Sequence, residues 1–187
     1  HIDLKTLHGL FKIDPVNKIA YFKNEDRIVE IPFNFLHLAP PQEAPRFIKN
    51  SVLANEAGWL DVDINSLQHN KFQNIFGVGD VAGLPTVKTG AAIRKQVPVV
   101  VSNLINMILG AKPDNKSYNG YSSCPLVTGY GKMVLAEFNY KNEFTPDPNL
   151  KKMLISDSSK EHWRLWILKK YILPYLYWNK MLKGKEV

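Results

Sequence analysis

The feature that most limits the fold is the passage from Asn74-Ile-Phe-Gly-Val-Gly-Asp80 into the periodic segment Ala91 to Leu109. The first stretch reads as a short apolar strand that stops at two glycines and a carboxylate. The second repeats apolar residues at helical spacing up to Gly110, a C-terminal stop. Strand, loop and helix make one α/β unit, and glycines at the strand end let a ligand approach the backbone closely. The Asp80 carboxylate can accept a hydrogen bond from a sugar or polyol hydroxyl, and the positive end of the helix aims at the same place. The bland alternative is a turn with a capping aspartate, and Gly-x-Gly-Asp alone does not separate the two. Pro98 lies inside the helical pattern, so a kink or two abutting helices are expected there.

Upstream, Gly9 to Asp14, Ile19 to Lys23 and Arg27 to Phe33 are β-rich runs around the turn Asp14-Pro-Val-Asn17, which predicts an antiparallel meander. Pro40-Pro41 and the loop through Pro45 end it. Downstream, Lys112 to Gly120 is polar and turn-rich and marks a boundary. Tyr121 to Thr128 and Lys132 to Tyr140 read as two strands joined at Gly129-Tyr-Gly131. Ser159 to Leu182 returns to a helical pattern that Pro174 is expected to split into two short helices.

Composition narrows the function. Apolar residues make up 45% of the 187-residue chain, which is enough for a packed core. No run of about eighteen uninterrupted apolar residues is present, so a membrane-spanning helix is not expected. The net charge is +7, with basic residues crowded toward the C-terminus, which favours a partner carrying negative charge. Zinc-finger spacing and an RNA-binding aromatic signature are absent, so lipid is favoured over nucleic acid. The histidines are scattered without ligand spacing, and no metal is assigned. A single cysteine excludes an internal disulfide and a cysteine-based zinc cluster. The first residues, His1-Ile-Asp-Leu-Lys5, are those of a chain expected to continue upstream.

Three further segments can carry chemistry. In Thr86-Val87-Lys88-Thr89-Gly90 a lysine and two hydroxyls stand at the expected helix start, where they would reinforce a positive field; the alternative is a solvated loop lysine and an N-cap threonine. Cys124 lies in Tyr121-Ser-Ser-Cys-Pro-Leu-Val-Thr-Gly-Tyr130, where Pro125 fixes the backbone and the flanking serines can donate to the sulfur. A free cysteine is otherwise a small buried hydrophobe. Residues 159–183 alternate aromatics with lysines, which suits a lipid headgroup boundary or equally a helix packing its aromatics inward.

Asn74-Ile-Phe-Gly-Val-Gly-Asp80 resembles the second FAD fingerprint of the two-dinucleotide-binding-domain flavoproteins, the pyridine nucleotide-disulfide oxidoreductase superfamily. Ser123-Cys-Pro-Leu-Val-Thr-Gly-Tyr130, Val134-Leu-Ala-Glu-Phe138 and Leu176-Tyr-Trp-Asn179 are similar to one branch, the sulfide:quinone oxidoreductases. The first fingerprint, Gly-x-Gly-x-x-Gly, is absent from the chain. The resemblance implies a partial FAD/NAD(P)-binding α/β fold with a C-terminal α+β domain. Residues 1–73 would close the second, NAD-like dinucleotide domain, residues 74–111 would supply the last strand and helix of the FAD domain, and residues 112–187 would form the C-terminal domain. It implies FAD as cofactor, contacted by Gly79, Asp80, Val87, Lys88 and Thr89. Cys124 would be one of two redox cysteines, its partner lying upstream of this chain. Sulfide would attack that pair, and electrons would pass through the flavin to quinone. Lys169, Tyr171, Tyr175 and Trp178 would face quinone or membrane, placing the protein peripherally on a bacterial or mitochondrial inner membrane. This chain alone is expected to be colourless and inactive. The alternatives are a flavocytochrome c sulfide dehydrogenase, a quinone-reducing NADH dehydrogenase, or a non-catalytic membrane-surface or protein-binding module.

Overall fold

The computed structural model describes residues 2–111 and 116–187, so part of the boundary expected at Lys112 to Gly120 lies outside the described residues. It is a mixed α/β structure with two small antiparallel sheets, and the chain divides into two compact units, His1–Glu43 and Ala44–Val187.

The first unit is the meander read from the sequence: β1 (Gly9–Asp14), β2 (Ile19–Asn24) and β3 (Arg27–Pro32), in the order β1-β2-β3. Asp14 makes the first turn, because its Oδ1 accepts from the N–H groups of Val16 (3.0 Å) and Asn17 (2.9 Å). Asn24 pairs with Arg27 across a two-residue turn, and a bulge at Phe11 breaks the register of β1 against β2.

The second unit begins with the short helix α1 (Arg46–Lys49) and an irregular stretch over residues 50–88 built on isolated bridges. Here the structure departs from the expected strand. Asn74 lies in a turn, and the residues after it make only short-range pairings: Gln68 bridges Phe76, and the Gly77 N–H donates to the Leu67 carbonyl at 3.0 Å. The run then closes at once into a 3-10 turn, Gly79–Val81, with Gly79 at φ +70°. Too few ladder bonds flank residues 74–78, among the described residues, to make a strand of them. Gly77 is required for a separate reason, since a Cβ there would collide with Leu60.

Helix α2 (Gly90–Leu109) follows. Thr89 caps it, its Oγ1 accepting from the Ala92 N–H at 3.1 Å, and Gly110 ends it in the left-handed conformation at φ 61°. The helix is not split at Pro98: it runs as one element through the proline. The missing backbone bond, about 3 kcal/mol, is offset by burial of Ala92, Gln96 and Val99 on both sides of it. Ala92 and Val99 join Leu67, Tyr118 and Tyr121 in one core cluster.

The hairpin β4 (Ser122–Gly129) and β5 (Lys132–Phe138) matches the sequence reading closely, and α2 packs beside β4. One face of β5, Met133 and Leu135, packs with Leu150 of α3 (Asn149–Lys152), Ile155 and Leu165 of α4 (Trp163–Ile167). The C-terminal segment also departs from expectation. Instead of two helices broken at Pro174, a continuous helical path runs from α4 through a π turn, Leu168–Ile172, into α5 (Leu173–Asn179). A proline clashes with the carbonyl four residues before it, here that of Lys170; the wider π turn holds that carbonyl and gives the ring room. Among the described residues no helix is long and apolar enough to cross a membrane.

Candidate functional site

The loop from Gly79 to Thr89 folds back on itself, and its shape depends on Lys88. The ammonium of Lys88 donates to the carbonyls of Asp80 (2.6 Å) and Ala82 (2.9 Å) and sits 3.9 Å above the ring of Trp59. Burial lowers the Lys88 pKa, and the nearby Asp80 charge works against that shift. The lysine thus clips the loop closed and does not point away from it. Behind it, the Gly79 N–H donates to Gln96 Oε1 at 2.7 Å, and Gln96 is 2% exposed. Gly79, Ala82, Leu84, Thr86, Val87 and Lys88 line a shallow surface depression together with Ala92 and Gln96.

Five residues singled out from the sequence therefore meet in one loop. Gly79 stands in the 3-10 turn, and the Asp80 side chain is exposed beside it. Val87 is exposed at the rim, Lys88 is spent as a clip, and Thr89 caps α2. Space beside Gly90 is open, so the first turn of a twenty-residue helix can receive a negatively charged group. Exposed carboxylate and open helix end together suit a ligand carrying both hydroxyls and an anionic edge. Trp59 and Gln96 were missed. Trp59 gives no local signal, whereas a glutamine on the apolar side of an amphipathic helix is a legible one.

Cys124 is a free, exposed cysteine in β4, directly opposite Ala136 of β5. Strand alternation puts Ser123 on the other face, opposite Glu137, so Ser123 cannot donate to the sulfur as expected. Pro125 pairs with Leu135 in the register.

The face turned away from the thiol holds a polar network that the sequence reading passed over. Glu137 is 0% exposed. Its Oε1 accepts from the Tyr121 hydroxyl (2.7 Å) and the Asp147 N–H (2.9 Å), and its Oε2 from the Ser158 hydroxyl (2.7 Å). The Asp147 carboxylate in turn holds Arg94 at 3.1 Å and Lys95 at 3.3 Å. Burial pushes the Asp147 pKa up, but the Asn149 N–H, Lys95 and Arg94 outweigh it and hold the carboxyl below its ordinary range. Both cations belong to α2, one turn beyond Thr89. Through them the helix that starts at the loop is tied to the hairpin that carries Cys124. A second tie joins the Thr86 hydroxyl to the Gly120 carbonyl at 2.8 Å. The available sequence signal was period 2: residue 137 shares the inward face of Met133 and Leu135, where a glutamate needs partners.

Burial also raises the pKa of Tyr118, Tyr121 and Tyr140 above 10.0, with the Glu137 hydrogen bond adding to the shift at Tyr121 and the Tyr118 and Asp63 charges at Tyr140. Unfolded tyrosines ionise first, so the stability these groups carry is whole below the unfolded value and is lost as pH rises above it. The urea unfolding midpoint is expected to hold up to about pH 10 and fall steadily beyond it. A midpoint flat through that range would show that these hydroxyls are not held neutral by the fold.

In the C-terminal run, Lys169, Tyr171, Tyr175 and Trp178 are all exposed. Tyr171, Tyr175 and Trp178 follow one another at spacings of four and three residues. Among the described residues no group of three or more His, Cys, Asp and Glu side chains is placed to hold a metal ion.

No protein-family profile matches the chain. Individual proteins do. The chain is 41% identical over 180 residues to the mitochondrial sulfide:quinone oxidoreductase of Mus musculus, covering 95% of this chain and 38% of the mouse protein. It is 43% identical over 179 residues to that of Dictyostelium discoideum, with the same coverage, and 42% identical over 173 residues to that of Schizosaccharomyces pombe, covering 91% and 37%. Among solved structures, a chain in the cryo-EM structure of the Tetrahymena thermophila mitochondrial ATP synthase F1Fo composite tetramer superposes with a TM-score of 0.69. Its identity is 29%, covering 89% of this chain and 40% of that one. Cys124, the Asp80 loop and the aromatic C-terminal run lie in a sequence more than 40% identical to these oxidoreductases, and the chain is a homologue of part of them, spanning about 38% of the length of the relatives it matches.

Proposed function

We propose that this chain supplies the C-terminal part of an FAD-dependent enzyme that oxidises sulfide and reduces quinone. The observation that carries the reading is an exposed, unpaired thiol on a hairpin bonded to the helix whose start forms the Asp80 loop. In this reading residues 1–73 complete the NAD-like domain, residues 74–111 the FAD domain, and residues 112–187 the C-terminal domain.

The loop fits one edge of a flavin cofactor. Asp80 would offer its carboxylate to the ribityl hydroxyls, Gly79 and Val87 would form the rim, and the open first turn of α2 behind Thr89 would stabilise negative charge on the flavin. Lys88 holds that loop in shape through two carbonyls and lends its charge from there. FAD, when bound, would accept an electron pair and pass it on to quinone. The work of this chain is at sulfur. Hydrosulfide attacks the bond between Cys124 and a partner cysteine outside the chain; one sulfur leaves as a thiolate and the other keeps the added sulfur as a persulfide. Exposure of Cys124 gives the attacking ion access. Lys169, Tyr171, Tyr175 and Trp178, on residues 159–183, would meet quinone and the surface of the inner membrane, where aromatics and lysines are both at home.

The direct test uses the full-length protein loaded with FAD. Sulfide is expected to drive reduction of a short-chain ubiquinone, with no NADH required. A flavin-loaded protein that reduces no quinone when given sulfide would overturn the reading. The solved relative within an ATP synthase assembly favours a second one, a non-catalytic part of a larger complex, and that same negative result would support it.

A further inference from the structure

The turn between β4 and β5 is built to project. Tyr130 stands between Gly129 and Gly131, with Gly131 at φ +75°, and a side chain added at either glycine would meet open space. Tyr130 itself is 93% exposed, an unusual place for so large a ring. It is not loose: the ring lies 5.8 Å from that of Trp166, on the helical path that leads to Tyr171, Tyr175 and Trp178. Val127 and Trp163, three residues before Tyr130 and Trp166 respectively, are likewise exposed.

From this geometry we infer that the Tyr130 turn is a second anchor at an anionic lipid surface, working beside the C-terminal run. The inference rests on the membrane reading given above and deepens it. Charge selects the partner: residues 159–187 hold seven basic side chains against two acidic ones. At the turn itself Lys132 is already paired, with Glu161 at 2.9 Å. The two parts therefore divide the work. Exposed lysines further along, such as Lys169, Lys170 and Lys183, supply attraction to anionic headgroups, while Tyr130 supplies a ring with an apolar body and a polar tip for the interface. Glycines on both sides keep the ring clear of the body of the hairpin.

The test is vesicle flotation of the full-length protein with vesicles of equal parts phosphatidylcholine and phosphatidylglycerol. Tyr130→Ala is expected to weaken partitioning about threefold to tenfold while leaving its salt dependence unchanged, because no charge is removed. Tyr130→Trp is expected to restore binding. Since Tyr130 is exposed, both variants should unfold at the wild-type urea concentration, which excludes misfolding as the cause. Equal partitioning of wild type and Tyr130→Ala would overturn the role of the turn and leave the C-terminal reading standing. If the wild-type protein itself fails to float, both fall, and the exposed face is left to a protein partner.

Discussion

In the full-length enzyme, Cys124→Ser is expected to lower sulfide-dependent quinone reduction at least about a thousandfold, which corresponds to ~4 kcal/mol of transition-state stabilisation. Serine preserves the size of the side chain and its place in β4 but cannot form or exchange a bond between two sulfurs. The substitution should be silent elsewhere. Cys124 is exposed and its neighbour across the hairpin is Ala136, so no core contact is lost, and under reducing conditions, with the pair open in the wild type as well, the unfolding free energy should move by no more than about 0.5 kcal/mol. Flavin content should also be unchanged, since Asp80 and the α2 start belong to a different segment. Steady-state rates, flavin absorbance and urea unfolding on the same preparation separate these outcomes. A variant that keeps the wild-type rate would place the sulfur chemistry somewhere other than residue 124.

A comparably large effect is expected from a residue far less conspicuous in the sequence. Glu137→Ala should destabilise the protein by about 3–5 kcal/mol, as breaking a buried, fully bonded carboxylate does. Three donors converge on it: the Tyr121 hydroxyl, the Ser158 hydroxyl and the Asp147 N–H. Removing the acceptor leaves all three buried without partners, and a cavity too small to admit enough water takes its place. Glu137→Gln should cost less, about 1–2 kcal/mol, since it keeps one acceptor oxygen and the shape but turns an amide toward a donor. The ordering Ala worse than Gln in urea unfolding is the diagnostic. If Glu137→Ala costs under about 1 kcal/mol, the network is decoration and the hairpin is held by apolar packing alone. The point bears on function because Glu137 faces Ser123, next to the thiol, so the same bonds set where Cys124 is presented.

The β1–β3 meander, the extent of α2 and the β4–β5 hairpin were legible because each is decided locally: by period-2 alternation, by Asp14 at a turn, by Thr89 and Gly110 at helix ends. The family was legible in the short runs around Asp80, Cys124 and Trp178, and the 41–43% identity to three sulfide:quinone oxidoreductases agrees with it. Elsewhere local rules failed for identifiable reasons. Apolar composition made residues 74–78 look like a strand, but a strand needs a partner along its length, and pairing is not a local property. Pro98 and Pro174 looked like breaks. In the fold, burial around Gln96 and Val99 carries the first, and the π turn at Leu168–Ile172 makes room for the second.

By itself, then, the sequence determined which segments are extended or helical where caps, turns and alternation speak, and which oxidoreductases the chain resembles. Tertiary structure alone decided what the polar side chains do. Lys88 became a clip over Trp59, Gln96 took the Gly79 N–H, and Glu137 gathered donors from three separate stretches of chain. A buried polar group must find partners wherever the fold brings them, often tens of residues away, and no periodicity in the sequence records where that will be.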